Sequence, residues 1–231
     1  MLYSNILNLT NEELELILQA GKSLTDDPST EEEYYSLLRE SIAKKVSKKW
    51  PEIIQKSLWI RDRASKDITS VPFVFNKAQK AIVKTIEKQL YSKGNKTIEI
   101  NKTRQEGVTS LLAAFVAVNA SISPNSSFLI YFPNQSMRME FASTVSGFLL
   151  QLLTPTRLSS AICAQEGNST IRLFNGSKIS YATKLTQTRG RSVDYVIVDE
   201  LGFVKEKVTK DDFLGQLACC LKENGKLIYS I

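Results

Sequence analysis

Histidine is missing altogether from the 231 residues, and that absence removes whole classes of chemistry. No Ser-His or Cys-His pair can activate a nucleophile, and no zinc site that depends on imidazole can form. Cysteine is scarce: there are three, an odd number, with Cys219 and Cys220 adjacent. This excludes a disulfide framework and points to a reducing compartment. Long apolar runs are absent as well. The longest, Leu111 to Val118, is far shorter than the ~20 residues of a membrane span. The opening Met1-Leu2-Tyr3-Ser4 lacks the basic lead-in of a secretory signal. There is no low-complexity tract and no internal repeat. A soluble, cytoplasmic protein without a membrane partner is the expectation.

The composition that remains is globular, with 42% hydrophobic and 23% charged residues. The net charge of +6 is unevenly spread. Residues 1–40 carry nine acids against two bases, and residues 41–105 carry sixteen bases against five acids. A basic block beside an acidic head suits a polyanionic partner or an internal charge match, and a solvated lysine face is the bland alternative.

Two regions differ in texture. Residues 1–69 read as a helical subdomain. A helix opens at Asn11-Glu12-Glu13-Leu14, a second runs from Glu31 to about Lys49, and a third from Pro51 to about Lys66 would bury Ile53, Ile54, Leu58 and Ile60. From residue 70 to 231 strands alternate with helices. Helices are expected at Asn76–Tyr91, Thr109–Asn119, Met137–Leu153 and Asp211–Leu221. Strands are expected at Thr97–Ile100, Phe128–Phe132, Val193–Val198 and Lys226–Ser230. A hairpin is expected with Ile171–Phe174 and Lys178–Tyr181 flanking Asn175-Gly176. Such alternation predicts an α/β fold with a mostly parallel sheet flanked by helices. The sequence stops inside an apparent core strand, which suggests a fragment of a longer protein.

Three passages carry chemistry. Lys102-Thr103-Arg104-Gln105-Glu106-Gly107-Val108-Thr109-Ser110 lies between a strand and a helix, where a phosphate-binding loop belongs. Against the pattern Gly-x4-Gly-Lys-Ser/Thr, Gly107 and Thr109 fit, Val108 fills the lysine position and Lys102 replaces the first glycine. A lysine needs only to bring a mobile charge to the β/γ-phosphates, and a long stem at the strand end can do so. Thr109 is then placed to hold Mg²⁺, with Arg104 adding charge. In the second passage, the strand Val193–Val198 ends in Asp199-Glu200, two carboxylates suited to a metal and to an attacking water. In the third, Gln79 has an amide that can both donate to and accept from an adenine edge.

In this order the passages resemble the ATPase domain of the large terminase subunit, the DNA-packaging motor of tailed bacteriophages and herpesviruses. Many large terminases carry the lysine at the start of the loop and lack it at the end, as here. The stretches Phe174-Asn175-Gly176-Ser177 and Thr188-Arg189-Gly190-Arg191-Ser192-Val193-Asp194 also look like that family. The resemblance covers roughly residues 70–231.

It implies a P-loop NTPase fold of the ASCE, RecA-like kind, and ATP and Mg²⁺ as cofactors. Nucleotide would be bound by Gln79, Lys102, Thr103, Arg104, Gln105, Glu106, Gly107, Val108, Thr109 and Ser110, and metal by Thr109 and Asp199. Catalysis would fall to Glu200, Lys102 and Arg104, with Arg104 sensing the γ-phosphate. The implied partners are double-stranded DNA, a homo-oligomeric ring on a portal and the small terminase subunit, in the cytoplasm of an infected host cell. An arginine supplied in trans is expected, with Arg138 and Arg157 as candidates. The family's coupling motif would lie at or beyond the strand Leu227–Ser230, and its nuclease domain is expected to lie outside these 231 residues. Two rival readings stand beside this one. A helicase-like nucleic-acid ATPase usually keeps the lysine at the position of Val108. A degenerate nucleotide-fold module would bind without hydrolysis.

Overall fold

The computed structural model describes residues 48–61, 70–92, 96–103, 106–153, 162–164, 169–173, 175–204 and 208–231. The two N-terminal helices expected before Lys49, together with Arg104, Gln105, Arg157 and Phe174, lie outside the described residues. By compactness the chain divides into Met1–Lys49 and Trp50–Ile231. Every regular element described belongs to the second unit.

That unit runs α1 (Trp50–Ser57), β1 (Trp59–Arg61), β2 (Ser70–Pro72), α2 (Lys77–Leu90), β3 (Thr97–Ile100), α3 (Val108–Ile122) and β4 (Ser127–Tyr131). It continues with α4 (Gln135–Leu153), β5 (Ile162–Ala164), β6 (Thr170–Leu173), β7 (Lys178–Ala182), β8 (Val193–Val198), α5 (Lys210–Ala218) and β9 (Leu221–Ser230). Strands β1 and β2 pair antiparallel as a small separate ribbon. The other seven form one sheet in the order β3-β9-β8-β4-β7-β6-β5. From β3 to β7 all pairings are parallel, and β6 and β5 add an antiparallel edge. The expected α/β architecture is therefore present.

Period-two alternation divides the sheet's side chains between two cores. Ile98, Phe128, Ile130, Ile179, Ile197 and Ile228 face one side, where α1 to α4 pack. Leu129, Tyr131, Val196, Val198, Leu227 and Tyr229 face the other, covered by α5 through Phe213, Leu214 and Leu217. Helix α3 is the hub of the first side, with every residue from Leu111 to Ala120 buried. A helix that is apolar all round can be stable in water only when enclosed in this way. Phe115 meets Trp50 edge-on at 5.0 Å and Tyr195 edge-on at 5.8 Å, and Tyr195 stacks on Phe128 at 4.8 Å.

Those ring contacts bear on where the domain begins. A boundary at residue 69 is expected from the sequence, whereas the compact unit starts at Trp50. Trp50, Ile54 and Leu58 are fully or almost fully buried in the same core as α3. The helix expected to reach Lys66 stops at Ser57. Trp59 then enters β1, its main-chain N–H and carbonyl both taken by the Gln151 carboxamide of α4 at 2.7 and 3.1 Å. Strand β9 starts earlier than expected, at Leu221. It bulges over residues 222–225, because Val193 pairs with Leu221 and Tyr195 with Lys226.

Candidate functional site

Parallel strands all end at one edge of a sheet, and that edge is where α/β folds place their chemistry. Here β3, β9 and β8 are consecutive neighbours. Lys102 follows β3, Ser230 closes β9 and Asp199 follows β8, so three separate stretches of sequence meet at one place. The register sets Ile100 opposite Ser230, and Val198 opposite Tyr229.

Asp199 is the centre of the cluster and is 1% exposed. Its Oδ1 accepts from Lys102 Nζ at 2.7 Å and from Ser230 Oγ at 2.6 Å, and its Oδ2 accepts from Thr109 Oγ1 at 2.5 Å. A carboxylate buried this deeply would be costly without partners, and three donors, one of them cationic, offset that cost. Lys102 Nζ also lies 3.7 Å from Glu200 Oε1.

The neighbouring acids occupy different environments. Glu200 leaves the strand in a left-handed conformation, φ 58° and ψ 53°, which costs a non-glycine residue about 1–3 kcal/mol. Its N–H donates to Ser230 Oγ at 2.9 Å, so one serine hydroxyl holds the strained Glu200 backbone while donating to Asp199. The kink leaves the Glu200 side chain 32% exposed beside an almost fully enclosed Asp199. The pair thus offers one buried oxygen ligand and one carboxylate open to water.

Upstream, the Glu106 carboxylate accepts from the Thr103 N–H at 2.9 Å. Hydrogen bonding from Thr103 favours its ionised form and lowers its pKa from the usual glutamate value. Gly107 caps α3 at φ 71°, ψ 26°, and having no side chain it leaves the first-turn N–H groups uncapped by its own residue. Val108 is 2% exposed and packs into the core with Leu111 and Leu112. Its position at the usual lysine slot therefore has a packing reason, and the ammonium group arrives from Lys102 instead. Thr109 stands on the first turn of α3, exposed toward the edge, and Ser110 is half-buried.

Two expected contributors are differently engaged. Gln79 is 4% exposed, and its side chain bonds the Asn76 N–H and the Gly107 carbonyl. Arg138, one of the two candidate trans-acting arginines, is 6% exposed and donates from Nε to Gln135 Oε1 at 3.0 Å. The structure thus joins Lys102, Thr109, Asp199 and Glu200, with Thr103, Glu106 and Gly107 in the adjoining loop. Ser230 and Asn76 join the site without having been expected there. A lone serine at a strand end carries no signal, but Asn76 three residues before Gln79 is a capping-box spacing, readable in advance.

No protein-family model matches the sequence, and no curated protein matches it. Solved structures do. The crystal structure of the bacteriophage HK97 large terminase superimposes with a TM-score of 0.57 at 16% identity, over 80% of this chain and 37% of that one. A variant of the large terminase ATPase domain of Thermus phage P74-26 gives 0.48 at 16% identity, over 67% and 64% of the two chains. The HK97 match establishes a shared α/β fold, and this chain spans little more than a third of that protein's length. No helix among the described residues is long and apolar enough to cross a membrane.

Proposed function

We propose that this chain is the ATPase domain of a viral DNA-packaging motor, a large-terminase-like P-loop enzyme that hydrolyses ATP with Mg²⁺. One observation carries the reading: Lys102 and Thr109, seven residues apart on a strand–loop–helix, converge on the buried Asp199 at 2.7 and 2.5 Å. The fold shared with HK97 large terminase supports it.

The donor set fits both groups. A buried carboxylate beside a threonine hydroxyl is the hard-oxygen set that magnesium uses, usually together with substrate phosphates and not as a full protein cage. When bound, the ion neutralises charge on the phosphate oxygens. Lys102 is paired with Asp199 through a flexible stem, so its ammonium can turn to the β/γ-phosphates while Asp199 and Thr109 remain as metal ligands. Glu200, left accessible by its kink, orients and polarises the attacking water. Arg104 belongs to the same loop and, by resemblance, senses the γ-phosphate. The reading extends to double-stranded DNA as the translocated substrate. It also extends to a homo-oligomeric ring on a portal, the small terminase subunit as a further partner, and the infected host's cytoplasm as the place of action.

Hydrolysis assays and calorimetry with ATP and Mg²⁺ test this directly. Lys102→Ala is expected to reduce turnover by about 10²–10³, the usual consequence of losing one preorganised charge at the reacting phosphate. Undiminished turnover in that variant would overturn the assignment of the loop.

A further inference from the structure

We infer that Asn76 and Gln79 form a two-pronged clamp that sets the backbone of the phosphate-binding loop, and that Gln79 acts on nucleotide through this loop and not by reading the base. The inference rests on the ATPase reading above and concerns how its site is held.

The two carboxamides share one arrangement. Each uses its oxygen inside the capping box of α2: Asn76 Oδ1 accepts from the Gln79 N–H at 2.8 Å, and Gln79 Oε1 accepts from the Asn76 N–H at 3.0 Å. Each then uses its nitrogen on the loop: Asn76 Nδ2 donates to the Glu106 carbonyl and Gln79 Nε2 to the Gly107 carbonyl, both at 3.0 Å. The amide orientations follow from these partners. Flipping either side chain would set NH₂ against N–H and oxygen against carbonyl oxygen.

Capturing two successive carbonyls has a geometric effect. In a trans peptide the C=O and the following N–H point in opposite directions. Carbonyls 106 and 107 are drawn toward α2, so the N–H groups of Gly107 and Val108 are turned away from it. Backbone N–H groups at a helix start, held in one orientation, are what cradle a phosphate. The Gly107 carbonyl is also bonded by the Leu111 N–H at 3.1 Å, which ties the clamp to the first turn of α3. Gln79 lies flush on the loop: a Cβ at Gly107 would come within 2.8 Å of Nε2.

Recognising a base edge through one amide takes its oxygen and its nitrogen together. In Gln79 each end of the amide already holds a main-chain partner, and although one lone pair and one N–H remain, the residue is 4% exposed, so the amide edge is not open to a base. Its influence on binding should therefore be independent of the base.

A ligand without a base separates the two roles. Binding of inorganic tripolyphosphate, ATP and GTP, each with Mg²⁺, would be measured on the full chain and on Gln79→Ala and Asn76→Ser. Serine keeps a helix-capping oxygen but lacks the amide that reaches Glu106. Loss of one such hydrogen bond is expected to weaken tripolyphosphate by about 3- to 10-fold. ATP and GTP should weaken by the same factor, and KM should rise for both with kcat little changed. Equal melting temperatures for Asn76→Ser and the parent chain would separate positioning from stability. The clamp is overturned if Gln79→Ala weakens ATP but spares tripolyphosphate, or alters the ATP-to-GTP ratio. If the parent chain binds neither ATP nor tripolyphosphate, the ATPase reading fails first and the clamp with it.

Discussion

Asp199, just past the end of β8, is buried against Lys102, Thr109 and Ser230, while Glu200, in a left-handed conformation, is left partly open. Glu200→Gln should therefore keep nucleotide affinity and lose hydrolysis, a split visible as unchanged binding heat with turnover down by at least about 10². Ser230→Ala removes a donor to Asp199 and the acceptor of the Glu200 N–H. It is expected to lower stability by about 1–3 kcal/mol, the cost of leaving buried polar groups unpaired, measured by denaturant unfolding. At this scale the sequence was informative wherever chemistry had a pattern. Lys102, Thr109, Asp199 and Glu200 were legible because a loop and a strand end announce them. Ser230 was not, because its partners lie 30 and 31 residues away and only the strand order brings it between them. The bonding of Gln79 was hidden for a similar reason, since Gly107 lies 28 residues on.

Among the elements, α3 carries most of the packing. Phe115 sits edge-on between Trp50 and Tyr195 with no exposed surface. Phe115→Ala should cost about 3–5 kcal/mol and depress Tm, since a void left beside two rings cannot collapse. The long apolar run Leu111–Val118 made this helix easy to read, as did the β-prone run Phe128–Phe132 for β4. Less legible were the elements set by tertiary partners. Strand β1 forms where a helix was expected, because Trp59 finds the Gln151 amide and pairs with the Ser70–Pro72 strand. Residues 222–225 fall between the expected helix and strand, yet they are a bulge within β9, where Lys222 Nζ reaches Asp194 at 2.9 Å. Period and propensity see neither contact.

For the whole molecule, charge and assembly govern the expectations. Lys77, Lys80, Lys84 and Lys88 are all exposed on α2, spaced so that they share one side of the helix. If they meet DNA, the slope of log K against log salt should flatten by about 0.9 for each lysine removed that touches phosphate. A slope unchanged by replacing all four would mark them as a solvated face. The loop after β3 and the acids after β8 are not neighbours until β9 slides between them, and β9 is the last of the described strands to be made. A nascent chain that has not yet made residues 221–231 should therefore hold the two halves of the site without the strand that aligns them, and is expected to be unable to grip nucleotide.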